Sequence, residues 1–241
     1  MQEKMTRDTF FNGRLTVKQN RTGYRFSIDA VILADRIRPK SGQRVVDLGT
    51  GCGIVPLIVG YRFPAACLYG VEIQKELADI ASDNVRTNGM ETSVKIFYKD
   101  IQNLLPAMFD GPVDIVVSNP PFRKASSGRI NPNQQRAVAR HELRVTLLKV
   151  VEKASELLKV SGRFVLIYTS ERLVELIAHM RSCQLEPKLV RFIHAQSDSE
   201  SKLVMIEGIK QSKPGLKVGP PLVIYREDGT YTEEVQAMFQ S

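Results

Sequence analysis

The chain has 241 residues, enough for one α/β domain with a sizeable core, and its 34 Lys and Arg against 26 Asp and Glu leave a net charge of +8. No apolar run approaches the length of a membrane span, and Met1-Gln2-Glu3-Lys4 lacks the apolar stretch of a secretion signal, so a cytoplasmic protein is expected. Neither the cysteines (Cys52, Cys67, Cys183) nor the scattered histidines (His141, His179, His194) have disulfide-framework or metal-ligand spacing, which points to a reduced, metal-free protein.

Residues 9–17, Thr-Phe-Phe-Asn-Gly-Arg-Leu-Thr-Val, read as a short hairpin about an Asn12-Gly13 turn. Tyr24-Arg25-Phe26 reads as a brief strand, and Ser27 as the N-cap of a helix from Ile28 to about Arg38. The run Arg44-Val45-Val46-Asp47-Leu48 then enters Gly49-Thr50-Gly51-Cys52-Gly53 and an apolar helix whose first turn tolerates Pro56. Glycine permits the tight turn and lets a ligand approach the backbone. A dinucleotide loop needs Gly-x-Gly-x-x-Gly, but the sixth residue from Gly49 is Ile54 and from Gly51 is Pro56; the Gly-Lys-Ser/Thr of a phosphate loop is also missing. What remains, Asp-x-Gly-x-Gly-x-Gly, resembles the methionine-binding loop of class I S-adenosylmethionine (AdoMet) methyltransferases; the competing reading is a glycine-rich structural turn.

Further strands are expected at residues 66–72, 93–98 and 113–118, followed by Glu72, Asp100 and Asn119 at their ends. In an open α/β sheet the ligand sits at the carboxyl ends of the strands, so these groups and Asp47 converge on one cleft, although any single carboxylate could serve as a helix N-cap. Glu72, about 20 residues past the glycine loop, is placed to hold ribose hydroxyls. The fourth strand must stop at Asn119-Pro120-Pro121-Phe122, because proline has no N–H and pushes the preceding residue out of the helical region. The Asn119 side chain and the Pro120 carbonyl are then two acceptors beside the Phe122 ring, suited to a planar amine such as the exocyclic NH2 of a nucleobase. The plainer alternative is a turn after a buried strand.

From Asn119 to Lys149 the bases Arg123, Lys124, Arg129, Arg136, Arg140, Arg144 and Lys149 meet one acid, Glu142. Lys4, Arg7, Arg14, Lys18, Arg21 and Arg25 outweigh Glu3 and Asp8 at the N-terminus. This distribution favours a polyanionic partner over ordinary surface solvation. The polar segment 124–135 is expected to be mobile alone and to order on RNA. Leu147, Leu148, Val151, Ala154, Leu157 and Leu158 recur at helical spacing and mark a core-facing helix. A strand at 163–168, a helix at 170–181 and strands at 188–194 and 202–208 follow; the short link between the last two makes the final strand antiparallel. The C-terminus reads as a strand at 222–225, an Asp228-Gly229 turn and a helix at 232–239.

Alternation of strand and helix gives an α/β, Rossmann-like fold: a mostly parallel seven-stranded sheet with an antiparallel last strand. A single domain spans 1–241, with an N-terminal hairpin and helix (1–43), of which 19–34 cover the cofactor or cap the sheet, a core (44–210) and a C-terminal extension (211–241).

Several stretches together resemble the bacterial tRNA (adenine-N6) methyltransferase family, whose described member modifies the adenine 3′ of the anticodon in a valine tRNA. They are Gly23-Tyr24-Arg25-Phe26-Ser27-Ile28-Asp29-Ala30, the glycine loop, Asn119-Pro120-Pro121-Phe122, Gly128-Arg129-Ile130-Asn131-Pro132-Asn133, Ala139-Arg140-His141-Glu142, and the tail Leu203 to Gly208 with Lys213-Pro214-Gly215-Leu216. Many members carry Tyr where this chain has Phe122, which keeps the stacking face without the hydroxyl, a form shared with guanine-N2 rRNA methyltransferases.

The resemblance implies AdoMet as cofactor, held by Asp47, Gly49, Gly51, Gly53, Glu72, Asp100 (on the adenine amine), Tyr24, Phe26 and Asp29. It implies a catalytic corner of Asn119, Pro120 and Phe122, and tRNA contacts from Arg123, Lys124, Arg129, Arg140 and His141. Arg140 and His141 could instead form salt bridges around Glu142 at a helix start, and Asp29 could cap its helix. The expected partner is tRNA, with no membrane and no metal, and the chain a monomer or weak dimer. Two other methyl acceptors fit the same corner, guanine N2 in rRNA and a protein glutamine; a non-enzymatic RNA-binding protein is the remaining rival.

Overall fold

The computed structural model describes residues 5–21, 26–120 and 147–240. An antiparallel hairpin, β1 (Met5–Phe10) and β2 (Leu15–Asn20), opens the chain. Its turn is wider than Asn12-Gly13: Phe10 pairs with Leu15, and Phe11, Asn12 and Gly13 all take left-handed φ values of 53°, 55° and 83°. Phe11 is held in that conformation by burial and by a stack on Tyr61, with ring centroids 4.3 Å apart. Of the expected strand 24–26 only Phe26 is described, and it is irregular. Helix α1 (Ile28–Arg36) ends before the expected Arg38, because that residue precedes Pro39 and is barred from the helical region. Ser27 occupies the N-cap position, yet its hydroxyl donates to Asp29 instead of accepting from the helix.

The large sheet contains β3 (Arg44–Leu48), β4 (Cys67–Glu72), β5 (Val94–Tyr98), β6 (Val113–Ser118), β7 (Leu158–Thr169), β8 (Leu185–His194) and β9 (Ser201–Lys210). Two short strands, β10 (Lys217–Val218) and β11 (Leu222–Val223), add to its β8 edge. The order is β10-β8-β9-β7-β6-β3-β4-β5, with β11 also on β8. β9 runs antiparallel to both β7 and β8, and the other described pairs in this sheet are parallel. The reversal follows from the short connection after His194, which can join antiparallel strands but is too short for a crossover.

The remaining helices among the described residues are α2 (Ile54–Arg62), α3 (Lys75–Thr87), α4 (Leu147–Leu157), α5 (Leu173–Ser182) and α6 (Glu233–Gln240). Side chains alternate across the sheet, so Val45, Ile115, Val117, Val165 and Ile167 pack with α1, α2, α3 and the hairpin. Val46, Leu48, Val116, Phe164 and Leu166 face the other way, against α4 and α5. Leu147, Val151, Ala154 and Leu157 form the expected apolar stripe of α4, but Leu158 already belongs to β7. That strand departs from regular register between its pairings of Leu158 with Val113 and Arg163 with Ile115, where Ser161 has φ 62°. No helix among the described residues is long and apolar enough to cross a membrane.

The hairpin is tied to α3 by two asparagines four residues apart, Asn84 within that helix and Asn88 at its C-cap. Asn84 accepts from Lys18 N and donates to Lys18 O, both at 2.8 Å. Asn88 does the same for Thr16, at 2.9 and 2.7 Å. Side-chain amides thus take the place of a neighbouring strand at the free edge of β2, satisfying backbone groups a sheet edge would leave unpaired.

Candidate functional site

Parallel register brings the sequence-predicted residues to one edge. Leu48 lies opposite Val71 on one side and Ser118 on the other. One residue further along each strand stand Gly49, Glu72 and Asn119, at the carboxyl end of the sheet. Ser118 Oγ donates to Leu48 O at 2.8 Å, which closes β6 against β3 immediately before the Asn-Pro corner.

The loop after β3 turns through left-handed glycines, with φ of 80°, 58° and 85° at Gly49, Gly51 and Gly53. Gly49 N and Thr50 N both donate to Val71 O at 2.9 Å, folding the loop across β4. Glu72 is buried and spans the loop and the next helix: Oε2 accepts from Gly51 N and Oε1 from Gln74 N, each at 2.9 Å. Asp47 is equally buried and turns into the loop, accepting from Thr50 Oγ1 at 2.7 Å. Burial pushes its carboxyl up to about 7; the Thr50 hydroxyl opposes that rise and the Glu72 charge adds to it. A Cβ at Gly49 would meet nothing within 4 Å, so the loop presents open backbone there. Burial raises the Cys52 thiol to about 12, which removes it as a nucleophile.

Asp100 is half-buried at the end of β5, and its Oδ1 accepts from Gln102 N at 2.9 Å, capping the 3-10 turn Ile101–Asn103. Asn119 donates from Nδ2 to Asp29 Oδ2 at 3.1 Å, while its Oδ1 is buried without a partner among the described residues. Phe26 lies further out, its ring 5.8 Å from that of Phe10. Both line a half-open pocket of about 330 Å³ between the hairpin, α1 and α6, where Tyr231 and Phe239 also contribute. Tyr24, Pro121, Phe122, Arg123, Lys124, Arg129, Arg140, His141 and the expected mobile segment 124–135 lie outside the described residues.

Three contributors were not singled out from the sequence. Asn84 Nδ2 donates to Cys52 O at 2.9 Å and so braces the glycine loop as well as the hairpin. Ser118 locks the corner, and Gly70 makes room for Thr50, whose Cγ2 lies 2.9 Å from where a Cβ would stand. The only available sign was Asn84 and Asn88 on one face of a helix, a spacing that carries no meaning until β2 is known to run beside it. Among the described residues no group of three or more His, Cys, Asp or Glu could hold a metal ion.

The chain is similar to several known proteins. A Porphyromonas gingivalis protein named tRNA1(Val) (adenine(37)-N6)-methyltransferase is 29% identical over 239 residues, covering 95% of this chain and 92% of the relative. A protein of the same name from Dyadobacter fermentans is 26% identical over 229 residues, covering 93% and 92%. The crystal structure of Atu636, a predicted O-methyltransferase from Agrobacterium tumefaciens, superposes with a TM-score of 0.70 at 20% identity, over 87% of this chain and 94% of that one. A Thermotoga maritima SAM-dependent O-methyltransferase superposes with a TM-score of 0.54 at 20% identity, over 80% and 68%. The sheet order, with its reversed β9, is therefore a methyltransferase sheet. The family model for the methyltransferase small domain matches residues 25–184, from the edge of α1 through the glycine loop and the Asn-Pro corner to the end of α5, and the chain belongs to that family.

Proposed function

We propose that this protein is an AdoMet-dependent methyltransferase that modifies N6 of an adenine in tRNA, at position 37 of a valine tRNA. The observation that carries this reading is the Asn119 carboxamide. It stands beside the glycine loop with Nδ2 engaged by Asp29 and a buried Oδ1 that has no partner among the described residues. A buried acceptor left open is costly unless a donor arrives, and an exocyclic amine supplies one. The names of the relatives in Porphyromonas and Dyadobacter support adenine in tRNA as the source of that amine.

The residues present fit AdoMet. Left-handed glycines with open backbone at Gly49 suit the aminoacyl part, and Glu72 suits the ribose hydroxyls. Asp100 suits the adenine amine, and Asp47 acts by holding Thr50 and hence the loop. When bound, AdoMet would supply an electrophilic methyl group to the amine lone pair, with its thioether as the leaving group. Asn119 Oδ1 and the Pro120 carbonyl accept the two N6 protons and so aim the lone pair. Phe122 stacks on the base, a contact worth about 1–3 kcal/mol. Rate comes mainly from positioning. The surplus proton on the product amine leaves to these acceptors or to water, so neither a strong base nor a metal is required. An anticodon-loop adenine is less constrained than a paired base and swings into the pocket at lower cost.

Arg123, Lys124, Arg129, Arg140 and His141 bind the tRNA backbone. The chain works as one domain, 1–241, in which 1–43 cover the cofactor side and 211–241 extend the core. It acts in the cytoplasm as a monomer or weak dimer. The test is radiolabel transfer from AdoMet to unmodified tRNA, rRNA and release-factor protein in parallel, followed by nucleoside analysis. N6-methyladenosine in tRNA alone is expected. N2-methylguanosine in rRNA, or label in protein, would overturn the substrate assignment and leave the fold and cofactor standing.

A further inference from the structure

We propose that Asp29 is the positioning residue of the methyl-transfer site, fixing the orientation of the Asn119 carboxamide so that its carbonyl oxygen, and not its NH2, meets the target amine. The inference rests on the reading that Asn119 accepts from that amine. It departs from the assignment of Asp29 to cofactor binding, and from a helix-capping role.

An asparagine side chain is nearly symmetric in shape but not in chemistry, with an acceptor at one end and two donors at the other. Turned about its own axis by half a turn, Asn119 would offer NH2 to an incoming NH2, and two donors would face each other. Something must forbid that turn, and the backbone of a strand end does not. Asp29 does. Its carboxylate is 6% exposed in the first turn of α1, and Oδ2 receives Asn119 Nδ2 at 3.1 Å. An ionised carboxylate has no proton to give, so only the NH2 end of Asn119 can face it. The carbonyl is then directed away, which accounts for a buried Oδ1 with no partner among the described residues.

Ser27 completes the arrangement. Its hydroxyl donates to Asp29 Oδ1, so both carboxylate oxygens are engaged and the side chain is held in one rotamer. Negative charge on the NH2 side also polarises the amide and strengthens Oδ1 as an acceptor. Because Asp29 and Asn119 are 90 residues apart in sequence, the α1 segment becomes part of the catalytic corner, and not merely a cover for the sheet.

The test uses the full chain with Asp29→Ala and Asp29→Asn, and Asn119→Ala as reference. Initial rates on unmodified tRNA give kcat and KM, calorimetry gives AdoMet affinity, and thermal melting confirms folding. Asp29→Ala is expected to lower kcat about 100-fold, with the KM for tRNA and the AdoMet affinity within about twofold of wild type. Asp29→Asn keeps the size and covers the case in which alanine does not fold. Ser27 can donate to the carbonyl end of the new amide or accept from its NH2 end, so the orientation of Asn119 is no longer forced, and kcat should fall about 10-fold. Unchanged kcat in the folded Asp29 variants, with Asn119→Ala inactive, overturns the positioning role and leaves the amine-binding reading intact. Loss of AdoMet affinity with kcat restored at saturating AdoMet assigns Asp29 to the cofactor and also overturns it. Full activity of Asn119→Ala would instead remove the reading beneath both.

Discussion

Replacing Asn84 by alanine removes one side chain and should damage two structures at once. The carboxamide is fully buried on α3 and makes three hydrogen bonds to backbone: Lys18 N at 2.8 Å, Lys18 O at 2.8 Å and Cys52 O at 2.9 Å. The Cys52 contact is fully buried, so truncation strands a carbonyl that water cannot easily reach, at a cost of about 1–3 kcal/mol. The two bonds to Lys18 are partly buried and add about 0.5–1.5 kcal/mol each. The sum is roughly 4 kcal/mol, which for a chain of this size lowers Tm by about 8–16 °C. Asn88 provides an internal control, with the same chemistry toward Thr16 N and Thr16 O but a half-buried setting. Asn88→Ala should therefore cost about half as much, because water can replace its bonds. Urea unfolding of both variants at 25 °C measures the difference. AdoMet calorimetry on Asn84→Ala should also show weakened binding, since Cys52 lies within the glycine loop. If Asn84→Ala costs under about 1 kcal/mol, or no more than Asn88→Ala, burial of the Cys52 carbonyl is not what makes this position matter.

Other positions make equally definite predictions. Asp47 has its carboxyl raised from 3.8 to about 7, so the native state holds this proton more tightly than the unfolded chain does. Its stabilising contribution is full at low pH and is lost as pH climbs from about 4 through 7, by at most about 4 kcal/mol. Asp47→Asn should therefore gain in stability relative to wild type at pH 8 over pH 4; melting differences that do not change with pH contradict the buried-carboxyl account. Glu72→Ala deletes the acceptor of Gly51 N and Gln74 N and should weaken AdoMet binding by at least about 10-fold in calorimetry, an unchanged affinity refuting its role. Neutralising Arg123, Lys124 and Arg129 together should reduce the slope of log affinity for tRNA against log salt by about 2, at about 0.7–0.9 for each phosphate that is no longer neutralised. An unaltered slope would move the RNA surface elsewhere.

The parts of this protein that could be read from sequence are those where a strand is forced to end. β3 runs into glycines, β6 into two prolines, and β4 closes on a carboxylate, so chain chemistry alone dictates both the stop and the group left at the mouth. Parallel pairing followed from alternation, and the reversal of β9 from the shortness of its link to β8. What escaped is whatever depends on a second segment arriving. Lys217–Val218 has no periodicity to mark it, and β8 alone makes it a strand. Phe11 and Asn12 enter the left-handed region because tertiary contacts such as the Tyr61 stack hold the wider turn.

Asn119 shows the division most clearly. Its place at the end of β6 was legible from Asn-Pro-Pro. What holds its carbonyl toward the amine was not, because that is Asp29, a residue brought near only when α1 packs across the sheet. Position in this site is a local property of the chain, whereas orientation is a tertiary one. Methyl transfer to an amine needs both, since a correctly placed carboxamide turned the wrong way offers donors to a donor.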